Sequence, residues 1–172
     1  MLRKLLPVFL ITAFALSSCS DAEKDEVTPE SITGTWAIEG IDFNIDGTKY
    51  PVTDESMSDS EFELYTYTLN EDGTYAIFDG EETINGTYEY SAENKTLNLV
   101  DEDYTTHLTV NLSGNSMELE TRKIDLDADY DNDPEADNIS IAAIFLLWDQ
   151  EISELENETA KEVSYILKLT KK

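Results

Sequence analysis

Apolar and polar positions alternate along most of the chain between residues 61 and 122. Short runs rich in Thr, Tyr, Leu, Ile and Val are separated there by turn signals at residues 70–73 and 113–116. Turn signals that recur roughly every 8–12 residues are typical of all-β proteins. The pattern therefore predicts an antiparallel meander.

Alternate residues of a strand share one face, so the inward side chains of this meander can be read from the sequence. The final run at residues 163–169 alternates in the same way and can pair with the first strand, which would close the sheet and remove its edges. The predicted lining of the interior, and thus the candidate ligand pocket, is Tyr65, Tyr67, Tyr75, Ile77, Tyr88, Tyr90, Leu108, Val110, Tyr165 and Leu167.

Three segments interrupt the alternation. Residues 52–60 are polar and predict a long loop over one end of the sheet. Residues 125–137 carry an acid at every second position, and both charge repulsion and Pro134 favour a loop over a strand there. Residues 138–156 are long and apolar enough for a helix before the last strand, with a hydrophobic strand at residues 139–148 as the alternative.

The first 18 residues have the build of a secretory signal peptide. Arg3 and Lys4 precede an apolar run at residues 5–16, which is shorter than the ~20 residues of a membrane span. Residues 19–31 are polar and charged and predict a flexible tether. Residues 32–172 remain as one domain.

Residues 16–19, Leu-Ser-Ser-Cys, resemble the lipobox of bacterial lipoproteins, in which the Cys is acylated and becomes the first mature residue. Cys19 is the only cysteine, so an internal disulfide is impossible. The resemblance implies an anchor in the lipid bilayer of the bacterial outer membrane, at its periplasmic face or the cell surface. An ordinary secreted protein with Cys19 as a free thiol is the alternative.

Residues 34–36, Gly-Thr-Trp, resemble the Gly-x-Trp signature at the first strand of lipocalins. Residues 72–75 and 86–88 resemble the Asp-Gly-Thr-Tyr and Gly-x-Tyr rhythm of bacterial lipocalin-like domains. The resemblance implies an up-and-down, eight-stranded antiparallel barrel with one helix before the last strand. It also implies that Gly34 and Trp36 close the bottom of that barrel.

The last strand differs from the pattern of many lipocalins, in which an Arg stacks on the Trp of the first strand. This chain has Lys168 and Lys171 there, and it lacks a Thr-Asp-Tyr motif at the expected turn in mid-chain.

The chain is strongly acidic, with a formal net charge of −27. After removal of residues 1–18 it would keep 9 Lys or Arg and all 38 Asp or Glu residues, a net charge of −29. Such a charge repels phosphate backbones, so nucleic acid is not an expected partner, and it favours cations.

No catalytic or transition-metal motif is apparent in the sequence, and we expect no enzyme. His107 is the only histidine and is expected to be a surface or pocket side chain. The acidic run begins like a calcium-binding EF-hand loop but lacks its Gly and its final Glu, so a solvated acidic loop is the alternative. Its candidate calcium ligands are Asp125, Asp127, Asp129, Asp131 and Asp133.

Two functions are compatible with these features. The first is binding of a small apolar or amphipathic ligand inside the barrel. The second is a structural or interaction lipoprotein, whose barrel is filled by its own side chains and whose surface or acidic loop contacts a partner. The oligomeric state is not predicted.

Overall fold

The computed structural model describes residues 32–59, 64–102, 104–128, 133–147 and 159–172; of residues 59 and 144–147 it describes the backbone. Within these ranges the chain forms ten strands and two helices. They are β1 Gly34–Ile45, β2 Thr48–Pro51, α1 Asp54–Asp59, β3 Thr66–Leu69, β4 Thr74–Phe78, β5 Thr83–Ser91, β6 Thr96–Val100, β7 Thr105–Ser113, β8 Ser116–Thr121, β9 Ile124–Asp125, α2 Pro134–Leu147 and β10 Glu162–Lys171.

Eight of these strands form a closed antiparallel ring in the order β1, β3, β4, β5, β6, β7, β8, β10, with β10 pairing back onto β1. The seam between β1 and β10 runs from Trp36 opposite Lys171 to Ile45 opposite Val163, with a bulge between Ile38 and Gly40. The short strands β2 and β9 extend this seam at one end. The predicted eight-stranded, all-β, up-and-down barrel with a helix before its last strand is confirmed.

The two ends of the barrel are built from different kinds of connection. At the end that we call the bottom, tight turns at residues 70–73, 92–95 and 114–115 join the strands. The chain also enters and leaves the barrel there, because Lys172 N donates to Thr35 O over 2.9 Å. At the opposite end, the mouth, the connections include the long segments that carry α1 and α2.

Helix α1 replaces part of the loop predicted at residues 52–60. Thr53 Oγ1 accepts the backbone N–H of Ser56 over 3.2 Å, and Thr53 O accepts that of Met57 over 2.9 Å. Thr53 therefore caps a helix whose Met57 is buried in the core. The polar composition of this segment concealed the capping residue and the single apolar anchor.

Helix α2 begins at Pro134, four residues before the predicted start. Asp133 accepts the backbone N–H of Ala136 over 3.2 Å, and proline is favoured at the first position of a helix, where its missing N–H costs no bond. The loop prediction for residues 125–137 was therefore wrong at both ends, since Asp125 belongs to β9. Residues 139–147 are helical, not a strand, and residues 148–156 of the predicted helix lie outside the described residues.

One apolar core fills the bottom half of the barrel and continues into the mouth along β1 and β10. Each fully buried side chain of this kind contributes roughly 1.5–3 kcal/mol. The bottom half holds Trp36, Leu69, Leu97, Leu99, Leu108, Val110, Met117, Leu119 and Leu169. On the mouth side the core continues through Ile41, Phe43, Ile45, Ile124 and Val163 to Met57, Ala136, Ile139 and Ala143 of the helices.

Candidate ligand site at the mouth of the barrel

Trp36 closes the bottom of the barrel. Its side chain is 0% exposed, and its indole Nε1 donates to Ile32 O over 2.9 Å. Lys171 Nζ lies 5.3 Å from the centre of the indole ring, in the position of a cation–π contact. Lys171 thus supplies the cation that an Arg supplies in many lipocalins.

Gly34 is required for this arrangement. Its φ is +124°, a backbone conformation that side chains disfavour, and a Cβ there would lie 2.7 Å from Lys171 Cε. The glycine therefore lets Lys171 cross the first strand and reach the ring of Trp36.

The structure divides the ten predicted pocket residues into three groups. Tyr75, Leu108, Val110 and Leu167 are buried in the core. Tyr88 and Tyr90 lie near the bottom, where the Tyr88 hydroxyl donates to Asn70 O over 2.7 Å. The remaining four are only partly buried; Tyr67 pairs with Trp36 across β1 and β3, and Tyr165 pairs with Phe43 toward the mouth. They are Tyr65, Tyr67, Ile77 and Tyr165.

In the part of the chain that the structure describes, inward side chains stay accessible on the side of the mouth formed by β3, β4 and β5, which we call the open side. Tyr67 pairs with Ile77, and Ile77 pairs with Ile84, so the three side chains share the inward face. Ile84 is nonetheless 48% exposed. Helix α2 instead packs on β10, which lies across the ring of strands from β5, and α1 packs on α2.

Tyrosine side chains gather in this half of the barrel. Tyr165 packs edge-to-face against Phe43, with ring centres 5.9 Å apart. Desolvation strongly raises the pKa of Tyr67 and raises that of Tyr165 to about 12, and neighbouring phenols add to both effects. The residues coupled in this way, which we call the tyrosine cluster, are Tyr65, Tyr67, Tyr75, Tyr104 and Tyr165.

Two carboxylates act electrostatically on residues of the tyrosine cluster. After desolvation, Asp101 is the largest cause of the raised pKa of Tyr75. The pKa of Tyr165 is raised mainly by desolvation, then by Tyr104 and then by Glu135. Asp101 also accepts the backbone N–H of Tyr104 over 2.9 Å, which fixes the carboxylate at the turn between β6 and β7. The cluster therefore lies in a negative electrostatic environment.

A network of charged groups fastens α2 to the rim of the mouth. The carboxylate of Glu135, a residue that is 6% exposed, accepts the backbone N–H of His107 and the Nε–H of Arg122, both over 2.6 Å. His107 Nδ1 lies 3.1 Å from the same carboxylate. The pairing of β7 with β8 ends at Leu108, so the carboxylate of Glu135 accepts the backbone N–H of His107 in place of a strand carbonyl.

Arg122 also binds Asp133, the residue that caps α2. Desolvation acts to raise the pKa of Asp133, but hydrogen bonds from Ala136 and Arg122 lower it below its usual value. A groove of about 460 Å³ runs beside this network. It is lined by Tyr104, Thr105, His107, Arg122, Asp133, Pro134 and Glu135.

The candidate calcium ligands have other partners where the structure describes them. Asp125 accepts the backbone N–H of Asp127 over 2.9 Å, and Asp127 binds Lys161 over 2.6 Å. Asp129 and Asp131 lie outside the described residues. Within the described ranges, no group of three or more His, Cys, Asp or Glu side chains is placed to hold a metal ion.

The proposed lipidation site, Cys19, also lies outside the described residues. None of the helices that the structure describes has the length and apolar character needed to cross a membrane.

A family model described as a lipocalin-like domain (DUF4923) matches residues 59–146, about half of the chain. The chain belongs to this lipocalin-like family. Neither the curated proteins nor the solved structures contain a match. The family match covers the strands of the open side of the mouth and most of α2, while β1 and β10 close the lipocalin-like barrel outside the matched range.

The sequence-based pocket omitted three residues that belong with the tyrosine cluster. Tyr104 precedes the inward residues Leu108 and Val110 by an even number of positions, and Asp101 follows Leu97 and Leu99 in the same way. Both therefore continue the inward face of their strands. Extending these two strands toward their common turn identifies both residues. Ile84 lies two residues before Gly86, on the same inward face of β5, but was not among the predicted pocket residues.

Proposed function

We propose that this lipocalin-like protein binds a small apolar or amphipathic molecule at the mouth of its barrel and performs no chemical step on it. Membership of a lipocalin-like family makes binding the function most compatible with the fold. The packed bottom half leaves the mouth half as the part in which a ligand can be held.

One observation carries the proposal: tyrosine side chains that lie deep in the protein are still not completely covered. Desolvation is the largest cause of the raised pKa of both Tyr67 and Tyr165, yet both side chains keep accessible surface. Among the described residues, none accepts a hydrogen bond from either hydroxyl. Such groups are satisfied by water or by a bound molecule.

A neutral fluorescent probe such as N-phenyl-1-naphthylamine tests this proposal. We expect saturable binding to the mature chain, residues 19–172 with Cys19→Ser, which contains every described residue. Tyr67→Ala and Ile77→Ala should weaken binding, since both side chains face the open side of the mouth. Glu89→Gln is the control because Glu89 is exposed on the outward face of β5. Unchanged binding in both alanine variants would contradict the site.

We further propose that acylation of Cys19 anchors the chain to the outer membrane. The signal-like residues 1–18 and the lipobox-like residues 16–19 support this, and residues 19–31 would be the tether. Because the chain enters the barrel at the bottom, the tether joins the end opposite the proposed ligand site. Mass spectrometry should find an acylated N-terminal Cys19, and an unmodified N-terminus further along would contradict the anchor.

An interaction protein is the second candidate function. It is favoured by the exposed apolar side chains Leu64 and Phe78, which are 47% and 41% exposed near the mouth. On this alternative, native mass spectrometry of protein from its own host retains a protein partner and no small molecule. Retention of a small molecule supports the ligand-binding function.

A further inference from the structure

Charge is distributed very unevenly between the two ends of the barrel. Among the described residues, the segments that join strands at the mouth are residues 46–47, 52–59, 64–65, 79–82, 101–102, 104, 122–128, 133–147 and 159–161, and they contain 14 acidic residues but 3 basic ones. The turns at the bottom, residues 70–73, 92–95 and 114–115, contain three acidic residues and one basic residue. The mouth is therefore strongly negative, and the bottom is not.

The basic side chains of the described residues do not offset this charge inside the mouth. Arg122 is the one that borders the rim groove, and it binds Glu135 and Asp133. Lys168 binds Asp42 on the outer wall over 2.6 Å. Lys123 and Lys161 lie on the surface of the mouth segments and pair with Glu162 and Asp127. Lys49 is exposed on β2, and the bottom holds Lys95, Lys171 and Lys172.

The tyrosine cluster favours a cationic ligand independently of the net charge of the mouth. The faces of aromatic rings attract cations, and a phenol oxygen can accept a hydrogen bond from an ammonium group. Tyr67 and Tyr165 present such oxygens without a partner among the described residues. Asp101 is held beside Tyr104 of the cluster, whose backbone N–H it accepts over 2.9 Å, and it acts electrostatically on Tyr75. Ile77 and Ile84 provide apolar surface beside the cluster.

We propose that the mouth site selects a cationic amphiphile, in which a primary or secondary ammonium group is attached to an apolar body. This inference rests on the proposed function and names the ligand class of the same site. The apolar body lies against Ile77 and Ile84, and the ammonium group binds the phenols of the tyrosine cluster within reach of Asp101. Carboxylate and phosphate amphiphiles are repelled by the mouth.

Three probes of equal chain length test the proposal: dodecylammonium, dodecan-1-ol and dodecanoate. Each displaces N-phenyl-1-naphthylamine from the mature chain, below its micelle concentration and with circular dichroism as a check that the protein stays folded. We expect dodecylammonium to bind about tenfold tighter than dodecanoate, with the alcohol between them. About 0.5 M NaCl should reduce the preference, because exposed charges are screened.

Variants distinguish a specific site from the attraction of the whole acidic protein. Asp101→Asn should reduce the ratio of ammonium to alcohol affinity about fivefold, and Tyr67→Phe should reduce it less because the ring remains. Glu89→Gln removes the same charge from the outer face of β5 and should leave the ratio unchanged. Equal effects of Asp101→Asn and Glu89→Gln would overturn the proposed site.

The two proposals fail in different ways. If the neutral probe binds but dodecanoate displaces it as well as dodecylammonium does, the cationic preference is wrong and the ligand-binding function stands. If the neutral probe does not bind at all, the proposed function fails together with the inference.

Discussion

The two ends of this barrel are made from the same strands but meet different requirements. At the bottom, short turns bring the strands together around Trp36, and the core side chains of this half are at most 4% exposed. At the mouth, long acidic segments join the strands, and Ile84, Tyr67 and Tyr165 keep accessible surface on the inward face. The comparison indicates that stability is concentrated at the bottom and ligand binding at the mouth.

Removing the largest side chain at the bottom should have the greatest effect. Trp36→Ala leaves a cavity in a fully buried site and is expected to lower the free energy of unfolding by roughly 3–5 kcal/mol. Ile84→Ala at the mouth, where the side chain is half exposed, should lower it by less than about 1 kcal/mol. Urea unfolding measures both, and similar losses would remove the distinction between the two ends.

The rim network should be the most sensitive part of the mouth. Arg122→Met leaves the carboxylate of Glu135 buried without its guanidinium partner and is expected to cost roughly 3 kcal/mol. Arg122→Lys keeps a positive charge but cannot reach both Glu135 and Asp133 with the same geometry, so it should cost less. Thermal unfolding compares the two variants, and a Met variant as stable as the parent would show that the network does not hold α2.

Alkaline pH should destabilise the mouth through its phenols. Tyr165 ionises with a pKa of about 12 in the folded state and near 10 in the unfolded state. Between those values the unfolded state loses a proton that the folded state keeps, so stability falls as pH rises, by roughly 2–3 kcal/mol. Below about pH 10 both states are protonated, and the effect is absent.

Urea unfolding at about pH 9 and pH 12 measures this loss, and Tyr165→Phe is the matched control. The variant should lose less stability over that range than the parent chain. The phenolate absorbance of the parent should also show tyrosines that titrate later than exposed ones. Identical pH profiles for parent and variant would mean that Tyr165 is not held in a desolvated site.

The smallest predicted effect concerns the start of α2. Asp133→Ala removes both the helix cap and the ion pair with Arg122, and it should cost roughly 1 kcal/mol. Asp133→Asn keeps the capping oxygen and loses only the charge, so most of the stability should return. Chemical denaturation distinguishes them, and an equal loss in both variants would assign the effect to the ion pair alone.

Much of the barrel could be predicted because alternation is a local signal. Alternation along each strand assigns Tyr67, Ile77 and Leu167 to the inward face, and this assignment does not depend on what packs against the sheet. The start of α2 was missed because alternating acids at residues 125–137 suggest repulsion. Asp133 and Pro134 instead form a cap and a first helical position, a signal that depends on which carboxylate meets Arg122 in space.

The candidate site was less predictable for a related reason. Parity places Tyr75, Leu108 and Tyr165 inside alike, but it does not tell which of them is packed and which retains accessible surface. That difference depends on where each residue lies along the barrel: Tyr75 and Leu108 lie in the packed core, whereas Tyr165 pairs with Phe43 toward the mouth. Tyr104 and Asp101 were omitted because they lie in a turn just beyond the predicted strands.

Nuclear magnetic resonance of the mature chain titrated with dodecylammonium locates the ligand. A site at the mouth predicts shift changes at Tyr67, Ile77, Asp101 and Tyr165, and a much smaller change in the indole N–H resonance of Trp36, which donates to Ile32 O on the side of the ring away from the mouth. Changes centred on Trp36, or spread evenly over the outer face of the barrel, would contradict a ligand site at the mouth.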